Sequence, residues 1–127
     1  MPPITHVGRV MVPVADQDDA IAFYTEKLGF ELTADVPFGE GDRWVEVSPP
    51  EGVTALALVP GRGDYRPGRT TGIALETTDA AAAHEELEAN GVDVDAELMG
   101  GDGTVPLLFF FRDLDGNSLM LVESPAL

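Results

Sequence analysis

The chain has 127 residues, 44% of them hydrophobic, which suits one packed domain and excludes a large multidomain architecture. It has no cysteine, so disulfides, thiolate metal ligands and cysteine nucleophiles are excluded. Seven basic residues against 23 acidic ones give a net charge of −16, a surface that repels phosphate backbones and anionic lipid and argues against nucleic-acid or membrane partners.

In chain order, a strand is predicted near Val7 to Val14, with Pro13 tolerated at a sheet edge or strand end. Asp16 or Asp18 then opens a helix carrying Ile21, Phe23, Tyr24 and Leu28. The acidic residues Asp16, Asp18 and Asp19 suit the positive end of its dipole, and Gly29 suits its left-handed end. Strands follow near Phe30 to Val36, Arg43 to Ser48 and Thr54 to Val59, separated by turn-forming segments. Pro60 to Thr70, rich in Gly and Pro and holding Arg62, Arg66 and Arg69, reads as a linker. Those arginines are either solvated loop charges or guards of a cavity mouth.

Beyond it, a strand near Thr71 to Thr78 leads to a helix from Asp79 to Asn90 carrying Ala80, Ala83 and Leu87 and ended by Gly91. Strands near Val92 to Met99, Val105 to Arg112 and Ser118 to Glu123 complete the chain, with Gly100 to Gly103 a candidate mobile loop. The Asp113 to Asn117 segment has acidic spacing reminiscent of a calcium loop but lacks its later glycine and glutamate, and reads as a strand-connecting turn. No apolar run approaches the ~18 residues of a membrane helix, and the first residues show no signal segment, so the expectation is a soluble, cytoplasmic protein.

The two halves repeat one order, strand, acidic turn, helix, glycine and three strands. The expectation is therefore a single α+β domain of two tandem βαβββ modules, about residues 1–60 and 70–127, joined by a linker at about 60–70. Phe23-Tyr24-Thr25-Glu26-Lys27-Leu28-Gly29-Phe30 and the Asp113 to Asn117 turn carry a resemblance to the vicinal oxygen chelate superfamily, which groups glyoxalase I, bleomycin-resistance proteins, fosfomycin-resistance enzymes and extradiol dioxygenases. The resemblance implies a curved mixed sheet around a cavity with helices on the outer face. It also implies a homodimer, and a divalent metal held by one side chain from each of four strands. A fold shared by so many chemistries does not choose among them.

Strand alternation separates two faces. Val10, Val12 and Val14, Val45 and Val47, and Ile73 and Leu75 form the set that meets the helices. Arg9, Met11, Trp44, Glu46, Gly72, Ala74 and Glu76 fall opposite. Matched to the family's motifs, the four metal positions land on Arg9, Ala57 (within one residue), Gly72 and Met120. None supplies the imidazole nitrogen or carboxylate oxygen that zinc, nickel, manganese or iron requires, so no metal cofactor is expected. His6 has the wrong strand parity and His84 lies on the second helix; both read as structural.

The same face suits recognition. Arg9 offers a fixed cation, Met11, Trp44 and Met120 offer polarizable surface for a flat ligand, and Glu46 or Glu76 is a candidate general base. Against this stand an Arg9 that merely neutralises Glu46 or Glu76, and a Trp44 that serves a core or a dimer interface. The leading expectation is a metal-free protein that binds a small organic molecule through Arg9, Met11, Trp44, Glu46, Glu76 and Met120. The alternative is a lyase, isomerase or dioxygenase-type enzyme of the superfamily, with a displaced metal site or a Glu/Arg mechanism.

The acidity itself reads as solubility or adaptation to a salty host, with a functional acidic patch as the other reading. Self-repulsion among carboxylates is screened by salt. The melting temperature, followed by circular dichroism, is therefore expected to rise by roughly 3–6 °C from low salt to about 0.5 M NaCl, the shift that ~1 kcal/mol makes in a domain of this size.

Overall fold

The computed structural model describes residues 2–124 and divides into two compact units, Met1–Pro67 and Gly68–Leu127. In the first unit β1 (Arg9–Val14) is followed by α1 (Gln17–Ala22), which continues as a π-helical turn over Phe23–Lys27. Then come β2 (Glu31–Phe38), β3 (Asp42–Ser48) and β4 (Ala55–Pro60). In the second, β5 (Thr70–Thr77), α2 (Ala80–Ala89), β6 (Asp93–Val94), β7 (Leu108–Arg112) and β8 (Ser118–Glu123) repeat the order.

Each unit holds one four-stranded mixed sheet, and the orders match: β1-β4-β3-β2 and β5-β8-β7-β6. The first strand pairs parallel to the last, and the other neighbours pair antiparallel. The fold is thus α+β, as expected of two tandem modules of the glyoxalase type. Pro13 sits on β1, an edge strand, where its missing N–H breaks no ladder.

The two helices begin in the same way. The Asp16 carboxylate accepts from the Asp19 amide at 2.9 Å and that of Asp79 from the Ala82 amide at 3.0 Å, both from extended backbone. The first helix differs from the α-helix expected up to Leu28, because its second half is π-helical. The Thr25 hydroxyl donates to the Ile21 carbonyl at 2.7 Å, the acceptor its own amide would take in an α-helix, which suits the wider turn. Phe23, Tyr24 and Phe30 bury together there, edge to face at 5.7 and 5.6 Å.

One face of each sheet forms the core. Val12 lies beside Leu58 and Val47 beside Leu56 in the first unit, and Phe109 beside Leu121 and Phe111 beside Leu119 in the second. On α2 the buried residues are Ala80, His84 and Leu87. His84 donates from Nε2 to the Asp95 carbonyl at 2.6 Å, since a carbonyl can only accept, and its ring meets Phe109 edge-on at 4.9 Å. It is a core histidine, whereas His6 is exposed and bonds Thr5.

Two expectations need correction. The strand predicted over Val92 to Met99 is only Asp93–Val94 plus an isolated bridge from Met99 to Leu108. Ala96 and Glu97 are exposed there and have no apolar face to hold them in a sheet. The linker expected at Pro60 to Thr70 spans the boundary between the units and is itself bonded. Arg62 and Tyr65 exchange backbone hydrogen bonds and fold residues 61–67 into the first unit, while Arg69 accepts from the Ser118 amide in the second. The glycine segment at 100–103 is a bonded turn, with Gly101 donating to Val105 and Asp102 accepting from the Thr104 amide and hydroxyl.

Arginines on the third strands are committed to structure. Arg43 forks onto Asp35 and reaches Asp18 at 2.9 Å; Arg112 forks onto Asp93 and reaches Asp95 at 2.8 Å. The guanidinium hydrogen bonds hold the Asp35 and Asp93 carboxyls below their ordinary values. Whatever stability these pairs contribute is present above the ordinary carboxylate range and lost as pH falls through the lowered values.

The buried turn before β8 is polar. The Asn117 Oδ1 accepts from the amides of Gly68 at 2.9 Å and Arg69 at 3.2 Å, its Nδ2 donates to Asp113 at 3.0 Å, and Asp113 accepts from the amides of Asp115 and Asn117. Asn117 is fully buried, so Asn117→Ala leaves amides and a carboxylate oxygen unpaired. A loss of about 3 kcal/mol in urea unfolding is expected; a loss under ~1 kcal/mol would mean that water replaces these bonds.

Candidate functional site

In the first unit the face away from α1 carries the predicted site residues. Across β1-β4-β3-β2 the register aligns Met11, Ala57, Glu46 and Ala34, and Arg9 lies one pleat away beside Ala55. Partners in register and alternate residues share a face. Arg9, Met11, Trp44 and Glu46 are therefore brought together by the sheet alone.

Glu46 is the centre of this group. Its Oε2 accepts from Arg9 Nε at 2.9 Å and from Trp44 Nε1 at 2.6 Å. The Glu46 side chain is only 13% exposed, whereas Arg9 is 52% exposed. A mostly buried carboxylate is thus matched by one cationic and one neutral donor, both charge-assisted. Of the two carboxylates the sequence offers to Arg9, Glu46 takes it.

Met11 and Trp44 also line an open cleft of about 510 Å³, together with Val59, Pro60, Arg62 and Tyr65. The Tyr65 hydroxyl donates to the Met11 carbonyl on the edge strand, fixing the 61–67 turn against the cleft. Trp44 stacks edge-on against Phe38 at 5.8 Å, and Phe38 and Val36 are exposed on the edge strand β2. The walls are apolar and aromatic, and Arg62, paired with Asp42 at 3.4 Å, is the polar element at the rim.

Val59, Pro60, Tyr65 and Phe38 were not singled out from sequence. Tyr65, an aromatic residue inside a Gly/Pro-rich stretch directly after an apolar strand, was the available signal. Of the linker arginines, Arg62 lines the cleft, and Arg66 donates to the Gly63 carbonyl at 2.8 Å.

In the second unit Met120 lies beside Ala74 and Phe110, and Glu76 beside Val122, on the face away from α2. Glu76 is exposed and Met120 half-buried. Face and strand are as expected for both, and both belong to the second unit.

The residues at the expected metal positions do not fit a divalent ion. The register sets Ala57 beside Met11, and a slip of one residue either way lands on Leu56 or Leu58, so the second position carries only an aliphatic side chain. Gly72 lies at a shift in the β5–β8 register with φ +74°, a conformation in which an L-residue such as histidine costs about 1–2 kcal/mol. Arg9 and Met120 contribute a guanidinium and a thioether. Among the described residues no three histidine, aspartate or glutamate side chains gather to hold a metal.

Known proteins share this architecture. A family model described as the Glyoxalase/Bleomycin resistance protein/Dioxygenase superfamily matches residues 6–121. TnmS3, an antibiotic binding protein from Streptomyces sp. CB03234, aligns with TM-score 0.84 and 37% identity over 99% of this chain and 100% of its own. A superfamily member from Sphaerobacter thermophilus aligns with TM-score 0.88 and 35% identity over 95% and 98%. A lactoylglutathione lyase of Salmonella typhimurium is 33% identical over 91% of this chain and 90% of that enzyme. With the repeated sheet order and a match spanning both modules, this chain belongs to the Glyoxalase/Bleomycin resistance protein/Dioxygenase superfamily.

Proposed function

We propose that the protein binds a small, flat organic molecule on the Met11 and Trp44 face of its first module, without the family's divalent metal. The cleft lined by Met11, Trp44, Val59, Pro60 and Tyr65 is the observation that carries this reading. It places an indole, a thioether and aliphatic walls around a volume suited to a small organic ligand. The similarity to an antibiotic binding protein over the whole chain supports it. In this reading Glu76 and Met120 are proposed ligand contacts of the second module by itself, residues 1–127 form one family domain, and the protein is a cytoplasmic homodimer.

A second reading, a lyase or isomerase, is favoured by the similarity to lactoylglutathione lyase. Without a fitting metal set it would rest on Glu46 or Glu76 as base, with Arg9 as electrophilic partner. In Glu46 one oxygen is already held by two donors, which leaves Oε1 as the proton acceptor. Unaltered turnover in Glu46→Gln and Glu76→Gln would remove this acid–base version.

Trp44 is the only tryptophan, so its fluorescence reports the cleft without interference. Titration with a panel of aromatic drugs is expected to give saturable changes, and Met11→Ala to weaken binding about 5- to 10-fold through lost apolar contact, roughly 1–1.4 kcal/mol. No change across a varied panel would overturn the binding reading. Elemental analysis of protein purified without chelators is expected to show far less than one divalent ion per chain, even after incubation with nickel, zinc, manganese and iron. About one ion per chain would restore the metalloenzyme.

A further inference from the structure

Met11 and Trp44 supply the apolar part of the cleft, while Arg9 and Glu46 lie one pleat along the same strands on the same face. Arg9 uses only Nε toward Glu46, and its two terminal nitrogens, on a side chain 52% exposed, have no partner among the described residues. Glu46 uses only Oε2 for both of its donors, and Oε1 has no partner among the described residues. No buried side-chain polar atom among the described residues is left unsatisfied, so Oε1 reaches solvent. An N–H donor edge and a carboxylate acceptor therefore lie side by side at the end of an aromatic wall.

We propose that this Arg9–Glu46 pair is a charge-neutral recognition element that selects uncharged aromatic ligands presenting a hydrogen-bond acceptor beside a donor, as in an aryl carboxamide. This rests on the binding reading above. The formal charges of Arg9 and Glu46 cancel, so neither an anionic nor a cationic head gains a net ion pair. A carboxylate head meets Arg9 but is repelled by Glu46, and an ammonium head meets Glu46 but is repelled by Arg9. A ligand carbonyl can accept from Arg9 while its N–H donates to Glu46 Oε1, so both groups gain a partner and neither loses its ion pair. A site built on paired donors and acceptors rejects analogues that leave one of them unmatched. The chain's charge of −16 adds long-range repulsion against anions, which salt screens while the local preference remains.

The test compares one ring with four heads: 2-naphthamide, 2-naphthoate, 2-naphthylmethylammonium and 2-methylnaphthalene. Each is titrated at about 0.5 M NaCl, to screen the net charge, while the single indole N–H cross-peak of Trp44 is followed by NMR. The amide is expected to bind roughly tenfold or more tightly than either charged probe, a difference of ~1.4 kcal/mol. Arg9→Met is expected to shift preference toward the ammonium and Glu46→Gln toward the naphthoate, because each leaves one charge uncompensated. Arg9 is half exposed, so Arg9→Met tests the idea even where Glu46→Gln impairs folding. Tightest binding of the naphthoate or the ammonium by the unmodified protein would overturn the proposal. Equal binding of all four would also overturn it while leaving the binding reading intact. Absence of binding by every probe, 2-methylnaphthalene included, would remove the binding reading and this inference with it.

Discussion

Parallel pairing of the first strand of each module with its last is the constraint on which the rest depends. A parallel pair needs a long crossover, and in both units that crossover contains a helix before the two middle strands return antiparallel. The helix must then cover one face of the sheet. Alternation does the rest: Val12, Leu58, Val47 and Leu56 in one unit, and Phe109, Phe111, Leu119 and Leu121 in the other, turn inward. In the first unit the opposite face carries Arg9, Met11, Trp44 and Glu46.

Charge is distributed along the same division. In a chain of net charge −16, two of six arginines are forked onto carboxylates of the neighbouring second strands, Arg43 on Asp35 and Arg112 on Asp93. Both pairs are in part open to solvent, where such bridges contribute little. Arg9 differs because its carboxylate partner is mostly buried and shared with an indole N–H. The arginine's terminal nitrogens and one glutamate oxygen are left over from that partnership, on the face of the sheet away from α1.

Most of the fold was legible because its signals are local. Asp16 and Asp79 as caps, Gly29 and Gly91 as helix ends and the valine alternation each act within a few residues. The Asp113 to Asn117 turn was legible as a turn. Its long-range role, Asn117 holding the amides of Gly68 and Arg69, was hidden because those partners lie almost fifty residues away. The short β6 was misread because an alternating apolar pattern does not reveal that Ala96 and Glu97 have nothing to cover them. The π-helical turn was invisible for a similar reason: a hydroxyl competing for a backbone carbonyl changes the pitch without changing the apolar period.

The sequence by itself determined which residues share a face and which chemistry the expected metal positions carry, because strand parity and side-chain identity are properties of neighbouring residues. It placed Arg9, Met11, Trp44 and Glu46 on one side of the first sheet and left the partner of Arg9 open between two glutamates. Only the tertiary structure decided that Glu46 takes Arg9 and Trp44 on a single oxygen, and that Tyr65 closes one wall of the cleft. The positive φ of Gly72, at the register shift between β5 and β8, was likewise set there. Those outcomes depend on strand register and on where a turn folds back, which pairing across the sheet settles and local sequence does not.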